Sequence, residues 1–268
     1  MTSQWWIPRS VPWETAFPLP LDTARLLLQQ ESLSDNAGLT MDRLLAYGDT
    51  RQGPELVREL VDRSGLTPDY AAQGEFFAAW LSRWEATARA LGASTFRATP
   101  EWRVIVGLGT HKILEGGITL HPVYGVPIVP ATALKGITRW YAERVAEAPV
   151  ERIEQLFGQA DIEARRGDLV FLDAIPVEPP HMERDIANPH FGGYYGSQAN
   201  VPPADYMAPK PIFFLTVGHG SRFVFGLASL SQDDEAAAQG LAWLQRALLD
   251  LGVGAKSAAG YGCWRLEG

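Results

Sequence analysis

The apolar residues of this chain change period near Pro100, and that switch is what most limits the folds open to it. Between residues 21 and 91 they recur at helical spacing. Ala24, Leu27 and Leu28 fall at i, i+3 and i+4, and Phe77, Trp80, Leu81 and Trp84 repeat the pattern. Gly53-Pro54, Gly65 and Pro68 divide this stretch into three or four predicted helices. Ahead of it, prolines at 8, 12, 18 and 20 deny the chain regular backbone bonding. Trp5, Trp6 and Trp13 there predict an extended arm that docks through its aromatics.

Beyond Pro100, strand patterns alternate with helical ones. Residues 101–107 (EWRVIVG) alternate as a strand, 123–129 read as a short apolar strand, and 168–177 (DLVFLDAIPV) are a strand by content. Residues 212–217 and 222–230 predict a hairpin around Gly218 and Gly220, and 261–266 a last strand. A helix is expected from Thr132, its N-cap, with Leu134, Ile137, Tyr141 and Val145 as the buried stripe and Pro149 as the stop. A short helix follows at 150–157. A longer one at 233–251 has acidic residues in its first turn, where the helix dipole favours them. This order predicts an α+β fold with helices on one face of a mainly antiparallel sheet. A ferredoxin-like sandwich of the RNA-recognition type fits it. The chain is therefore divided into an N-terminal arm and helical region, 1–100, and an α+β domain, 101–268.

Residues 178–211 hold seven prolines together with His190, Phe191, Tyr194, Tyr195 and Tyr206. That is too long and too rich in turn formers for a plain connector, and its aromatics argue for a working loop.

Composition narrows the function classes. Of 268 residues, 46% are hydrophobic and 20% charged, the balance of a globular protein that buries a core without staples. No run approaches the roughly 20 apolar residues that cross a bilayer, and the first ten residues lack the plan of a signal peptide, so a cytoplasmic protein without membrane contact is expected. Cys263 is the single cysteine, which rules out an intrachain disulfide or a cysteine-rich zinc site. Histidines 111, 121, 181, 190 and 219 show no metal-ligand spacing, and no cofactor motif is present. The net charge of −8 argues against a protein that coats nucleic acid with its whole surface. A local basic groove remains open, because affinity depends on where the cations sit. Only four of the 23 basic residues are lysines, 112, 135, 210 and 256, and two of these lie in glycine-bearing motifs.

The first motif, residues 126–140 (VPIVPATALKGITRW), leads a proline-bounded turn into a helix start holding Thr132, Lys135 and Gly136. Unpaired N–H groups and partial positive charge suit such a start to phosphate. Lys135 and Arg139, at i and i+4, share a face and can grip it further. A capped, solvated helix face is the ordinary alternative. The second motif, residues 252–262 (GVGAKSAAGYG), sets Lys256 and Ser257 among Gly252, Gly254, Gly260 and Gly262, with Tyr261 as a candidate stacking face. Small residues let a backbone approach a ligand closely and turn its N–H groups into an anion nest. It is not a P-loop: Ala255 stands where that motif needs glycine, and the loop follows a helix instead of a strand. A plain helix-to-strand loop is the alternative here. Asp173, between apolar neighbours, reads as a strand-end hydrogen-bonding residue.

These segments resemble a known family. VPATALKG is similar to the helix-opening segment of the RAMP superfamily of CRISPR proteins, and GVGAKSAAGYG to its C-terminal glycine-rich loop. Residues 185–217 (DIANPHFGGYYGSQANVPPADYMAPKPIFFLTV) resemble the sixth-subunit family of type III-B Cmr complexes, as do residues 107–130. Ala131 and Ala133 stand where the superfamily pattern has glycine and serine, and Ser257 where threonine is common. The resemblance implies a modified ferredoxin-like RNA-binding fold. It also implies a non-catalytic subunit that caps a stack of backbone subunits and binds the 3′ part of the guide RNA. Expected partners are guide CRISPR RNA, target RNA, the adjacent backbone subunit and the first Cmr subunit. Expected RNA contacts are Thr132, Lys135, Gly136, Arg139, Gly252, Gly254, Lys256, Ser257 and Tyr261, with Asn188, His190, Tyr194 and Tyr195 from the aromatic loop. No catalytic or metal-binding residue and no cofactor is expected. The competing function is a metal-independent endoribonuclease acting on CRISPR repeat RNA, with His111 or His190 as base.

Overall fold

A computed structural model describes residues 36, 39, 70–108, 118–159, 164–188 and 212–267. The expected arm, the helices expected before residue 70 and most of the aromatic loop lie outside the described residues. The chain divides into two compact units. One comprises Met1–Asp69, Gly109–Val126 and Glu183–Leu215, the other Tyr70–Leu108, Pro127–Met182 and Thr216–Gly268. In the first, Gly125 N donates to His121 O at 2.7 Å and the His121 ring stacks on Tyr124 at 4.5 Å. That closes a turn where an apolar strand had been expected.

The second unit carries the main sheet. Helix α1 (Gly74–Ala90) precedes strand β1 (Ser94–Pro100). Helices α2 (Ala131–Arg144) and α3 (Val150–Phe157) follow, then a two-residue ribbon of β2 (Gly158–Gln159) and β3 (Arg165–Arg166). Next come β4 (Leu169–Phe171) and β5 (Ile175–Pro176). Strands β6 (Met182–Ala187) and β7 (Ile212–Val217), which belong mostly to the first unit, pair with each other. Strand β8 (Phe223–Ser229), helix α4 (Asp234–Asp250) and strand β9 (Trp264–Leu266) complete the chain. The fold is α+β.

Strand β1 lies antiparallel between β8, with Ser94 opposite Leu227 and Ala98 opposite Phe223, and β9, with Pro100 opposite Trp264. The other edge of β8 takes β4, with Leu169 opposite Ser229, and β5, with Pro176 opposite Phe223. The sheet order is thus β4–β8–β1–β9, and along the chain its principal elements run β1, α2, β4, β8, α4, β9.

Both faces of β8 are covered. On one, Gly240 lets α4 come so close that a Cβ there would lie 2.7 Å from the Leu169 side chain and 3.3 Å from that of Leu227. Trp264, fully buried, meets Phe223 and Phe225 edge-on at 5.4 and 5.0 Å on the same side. On the other face, Trp84 of α1 sits against Gly226, where a Cβ would be 2.9 Å from its ring. All seven β8 residues are buried in consequence.

The structure corrects several expectations. The strand expected at 101–107 lies at Ser94–Pro100, so the sheet draws on chain before residue 100. Residues 103–106 are instead laced between two neighbours: Val104 exchanges backbone bonds with Val217, and the carbonyls of Arg103 and Ile105 accept from Gly262 and Ala255. The strand expected at 168–177 is split at Leu172-Asp173-Ala174 into β4 and β5. The expected 212–230 hairpin does not form. Strand β8 is central and has both edges occupied by β1 and by β4 with β5, which leaves β7 to pair with β6. Helix α4 forms as expected, with Asp233 just ahead of it as N-cap, accepting from Glu235 N and Ala236 N at 3.0 and 3.1 Å.

Candidate nucleic-acid interface

Helix α2 begins at Ala131, so Thr132 stands inside its first turn, exposed, and is not the N-cap. The cap comes from far along the chain. Asp173 Oδ1 accepts from Ala131 N at 2.6 Å, while the backbone oxygen of the same aspartate accepts from Trp84 Nε1 at 2.9 Å. The break between β4 and β5 places Asp173 there. A carboxylate already satisfies one of the donors that phosphate was expected to use.

Further along α2, Arg139 is committed within the chain. Its Nε donates to Glu143 Oε1 at 2.7 Å and its Nη1 to Gly158 O at 3.2 Å. The ion pair is about 40% exposed and therefore weak. Lys135, half-buried one turn earlier, has no salt bridge among the described residues. Gly136 is exposed, and a Cβ there would meet nothing within 4 Å. Glycine inside a helix costs about 1 kcal/mol relative to alanine, and no packing among the described residues calls for it.

The glycine loop is held from inside. Gly252, at φ +72°, closes the C-terminus of α4 with its N–H on Ala247 O at 3.0 Å. Gly254, at φ +110°, lies flat against residue 105, and a Cβ there would be 2.2 Å from Ile105 O. Val253 N donates to Gly262 O at 2.8 Å, Ala255 N to Ile105 O at 2.8 Å and Gly262 N to Arg103 O at 2.7 Å. Gly252 and Gly254 thus serve the loop's own packing. The tip from Lys256 to Gly260, with Ser257 in a 3-10 turn, is exposed. Lys256 sits there in the left-handed region, φ 60° and ψ 29°. A non-glycine residue pays an energetic penalty in that conformation, which Glu147 and Gln232 also adopt.

The Tyr261 ring is not an open stacking face. It is 7% exposed and packs against Trp102 at 4.7 Å between centroids. The exposed ring of the pair is Trp102, with the Arg103 guanidinium carbon 4.9 Å from its centroid. The strand-like alternation of EWRVIVG hides both residues from a reading of the sequence alone. Desolvation pushes the Cys263 thiol up from its ordinary value, and Glu101 adds to the effect. Asn188 is exposed at the end of β6, whereas His111, His190, Tyr194 and Tyr195 lie outside the described residues. No metal-binding cluster of histidine, cysteine and carboxylates occurs among the described residues, and no helix among them is long and apolar enough to cross a membrane.

Register relates the two motifs. The start of α2 is tied to Asp173, two residues before Ile175, which pairs with Val224. The glycine loop runs into Trp264, which pairs with Pro100, two residues beyond the Ala98–Phe223 pair. The two motifs therefore lie at opposite edges of the sheet, three inter-strand spacings or roughly 14 Å apart across it, with Asp173 beside the middle of β8 and the glycine loop beyond its Phe223 end. Strand β8 is buried on both faces, unlike the open central strands of RNA-recognition domains.

The family profile described as the RAMP superfamily matches residues 104–265, which include both motifs. "CRISPR system Cmr subunit Cmr6" of Pyrococcus furiosus is 33% identical over 231 residues, covering 64% of this chain and 67% of its own. "CRISPR system CMR subunit Cmr6" of Saccharolobus solfataricus is 28% identical over 178 residues, covering 64% of this chain and 57% of its own. In fold, the chain is similar to one in the cryo-EM structure of the Type III-B Cmr-beta bound to cognate target RNA. The TM-score is 0.60 at 24% identity, over 80% of this chain and 71% of that one.

Proposed function

The chain belongs to the RAMP superfamily, and from that premise we propose that it is a non-catalytic, RNA-binding subunit of a type III-B CRISPR complex. In this reading its sheet is a modified ferredoxin-like fold. The support is the β-α-β-β-α-β order of the sheet elements with the fourth strand beside the first and the second beside the third. The subunit caps the stack of backbone subunits, binds the 3′ part of the guide RNA, and touches the adjacent backbone subunit and the first Cmr subunit. Main-chain N–H groups at the loop tip, Lys256 and Lys135 hold phosphates without reading sequence. Thr132 and Ser257 supply exposed hydroxyls beside them, and the aromatic loop with Asn188 flanks the duplex. Arg139 joins once it leaves Glu143. The observation that carries this reading is Lys256, a cation kept at an exposed tip in a conformation better suited to glycine.

Gly136 adds a second sign of close approach. Gly136→Ala should stabilise the chain by about 1 kcal/mol in urea unfolding while weakening its binding to guide RNA, because the methyl group stands where the RNA backbone comes closest. Equal RNA affinity in the stabilised variant would remove α2 from the interface. Catalysis is tested by incubating the purified chain with labelled CRISPR repeat RNA in EDTA. The RNA should remain intact. Saturable cleavage lost in His111→Ala or His190→Ala would make the chain an endoribonuclease.

A further inference from the structure

We infer that Trp102 is a nucleobase-stacking residue that takes a base of single-stranded RNA at the foot of the glycine loop; the inference rests on the RNA-binding role proposed above. An exposed tryptophan is by itself ordinary. What distinguishes Trp102 is how firmly it is held and what surrounds it. The backbone on either side is pinned to the last residues of the loop: Glu101 N donates to Cys263 O at 2.9 Å, and Gly262 N donates to Arg103 O at 2.7 Å. The ring itself rests on Tyr261 at a 45° tilt, so its orientation is set before any ligand arrives. Even so, 43% of the residue remains exposed.

The charges around it suit RNA. Arg103 lies over the Trp102 ring, and Lys256 is tied to the same cluster because its carbonyl accepts from Tyr261 N at 3.3 Å. Glu101 brings a carboxylate to the rim. Its backbone oxygen lies 3.2 Å from Nδ1 of His219, a further exposed ring. A base stacked on Trp102 gains a prepositioned aromatic face at little ordering cost. The Arg103 guanidinium then moves aside to the adjoining phosphate, and Lys256 holds the next one. Stacking of this kind is indifferent to sequence, as a guide of variable sequence requires. Trp140 makes the contrast. It is more exposed, at 49%, yet among the described residues it has neither a ring partner nor a cation over its face.

The test is fluorescence anisotropy of the full chain with a fluorescein-labelled single-stranded RNA, repeated across salt concentrations. Trp102→Ala should bind about ten-fold more weakly with an unchanged salt slope, since stacking is lost and no charge is removed. Trp102→Phe, which keeps a ring on Tyr261, should retain most of the affinity, and Trp140→Ala should match the parent. Affinity of Trp102→Ala within about two-fold of the parent, with Lys256→Gly weakened, would overturn the stacking role and leave the RNA-binding role standing. Retained RNA affinity together with failure of Trp102→Ala to co-purify with other complex subunits would assign the ring to a protein contact instead. Equal losses in Trp102→Ala and Trp102→Phe with lowered melting temperatures would make it a packing residue. Absence of saturable binding by the parent would remove the functional reading itself.

Discussion

Gly254→Val should lower the stability of the chain by about 3 kcal/mol, the sum of a strained left-handed backbone and a lost buried hydrogen bond. At φ +110° a β-branched side chain has no comfortable rotamer, and its Cβ would lie 2.2 Å from Ile105 O. That same oxygen accepts from Ala255 N, so pushing residue 254 away also breaks the bond that closes the loop. Urea unfolding reads the effect directly. Gly260→Ala is the control, because its φ of +88° is strained in the same sense but nothing lies within 4 Å of the added methyl. Its loss should be nearer 1 kcal/mol. Weakened RNA binding in Gly254→Val is then a consequence of the collapsed loop, not of a side chain placed between protein and RNA. Parent-like stability in Gly254→Val would show that the loop is not anchored on residue 105.

The second large effect separates stability from function at one position. Lys256→Gly should stabilise the chain by about 1 kcal/mol, since glycine occupies the left-handed region without penalty. The same change should weaken binding to guide RNA and reduce the slope of log K against log salt by roughly 0.7 to 1, the signature of one fewer phosphate neutralised by the protein. Lys135→Ala should lower the slope by a similar amount with little change in stability, because its side chain has no salt bridge to lose among the described residues. The two together should be additive in slope, as the register sets them at opposite edges of the sheet. Unchanged slopes in both variants would move the RNA path elsewhere on the subunit.

How much of this is legible in the sequence depends on whether the signal is local. The acidic first turn announces α4, and the apolar pattern of 150–157 announces α3, because charge placement and amphipathic spacing are written within a few residues. Strand β1 escapes a sequence reading since Ser94-Thr95-Phe96-Arg97 is mostly exposed and only its last three residues are buried. The neighbouring EWRVIVG looks like the strand for the opposite reason. Val104, Ile105 and Val106 are all buried in succession because the glycine loop and Val217 enclose them. Gly218 and Gly220 suggest a β7–β8 hairpin, yet pairing is decided by which strand is central, and that depends on β1 and β4 far away in the chain. The cap on α2 is equally out of reach, since Asp173 lies 42 residues from Ala131.

For the site, the two motifs are legible as glycine-and-lysine clusters, but their internal roles are not. The sequence does not tell that Gly254 faces Ile105, that Arg139 is held by Glu143, or that Tyr261 turns inward while Trp102 turns out. Those distinctions come from packing, and they shift the expected RNA contacts from the loop's glycines and tyrosine to its lysine tip and the neighbouring tryptophan.

The central claim is that this chain works as an RNA-holding subunit of a CRISPR assembly. Its most direct test is recovery of the tagged chain from its native cells under gentle conditions, followed by sequencing of the bound RNA. The account predicts RNA derived from CRISPR arrays, enriched over an untagged control and depleted in the Lys135→Ala, Lys256→Gly double variant. An RNA profile indistinguishable from the untagged control would contradict it.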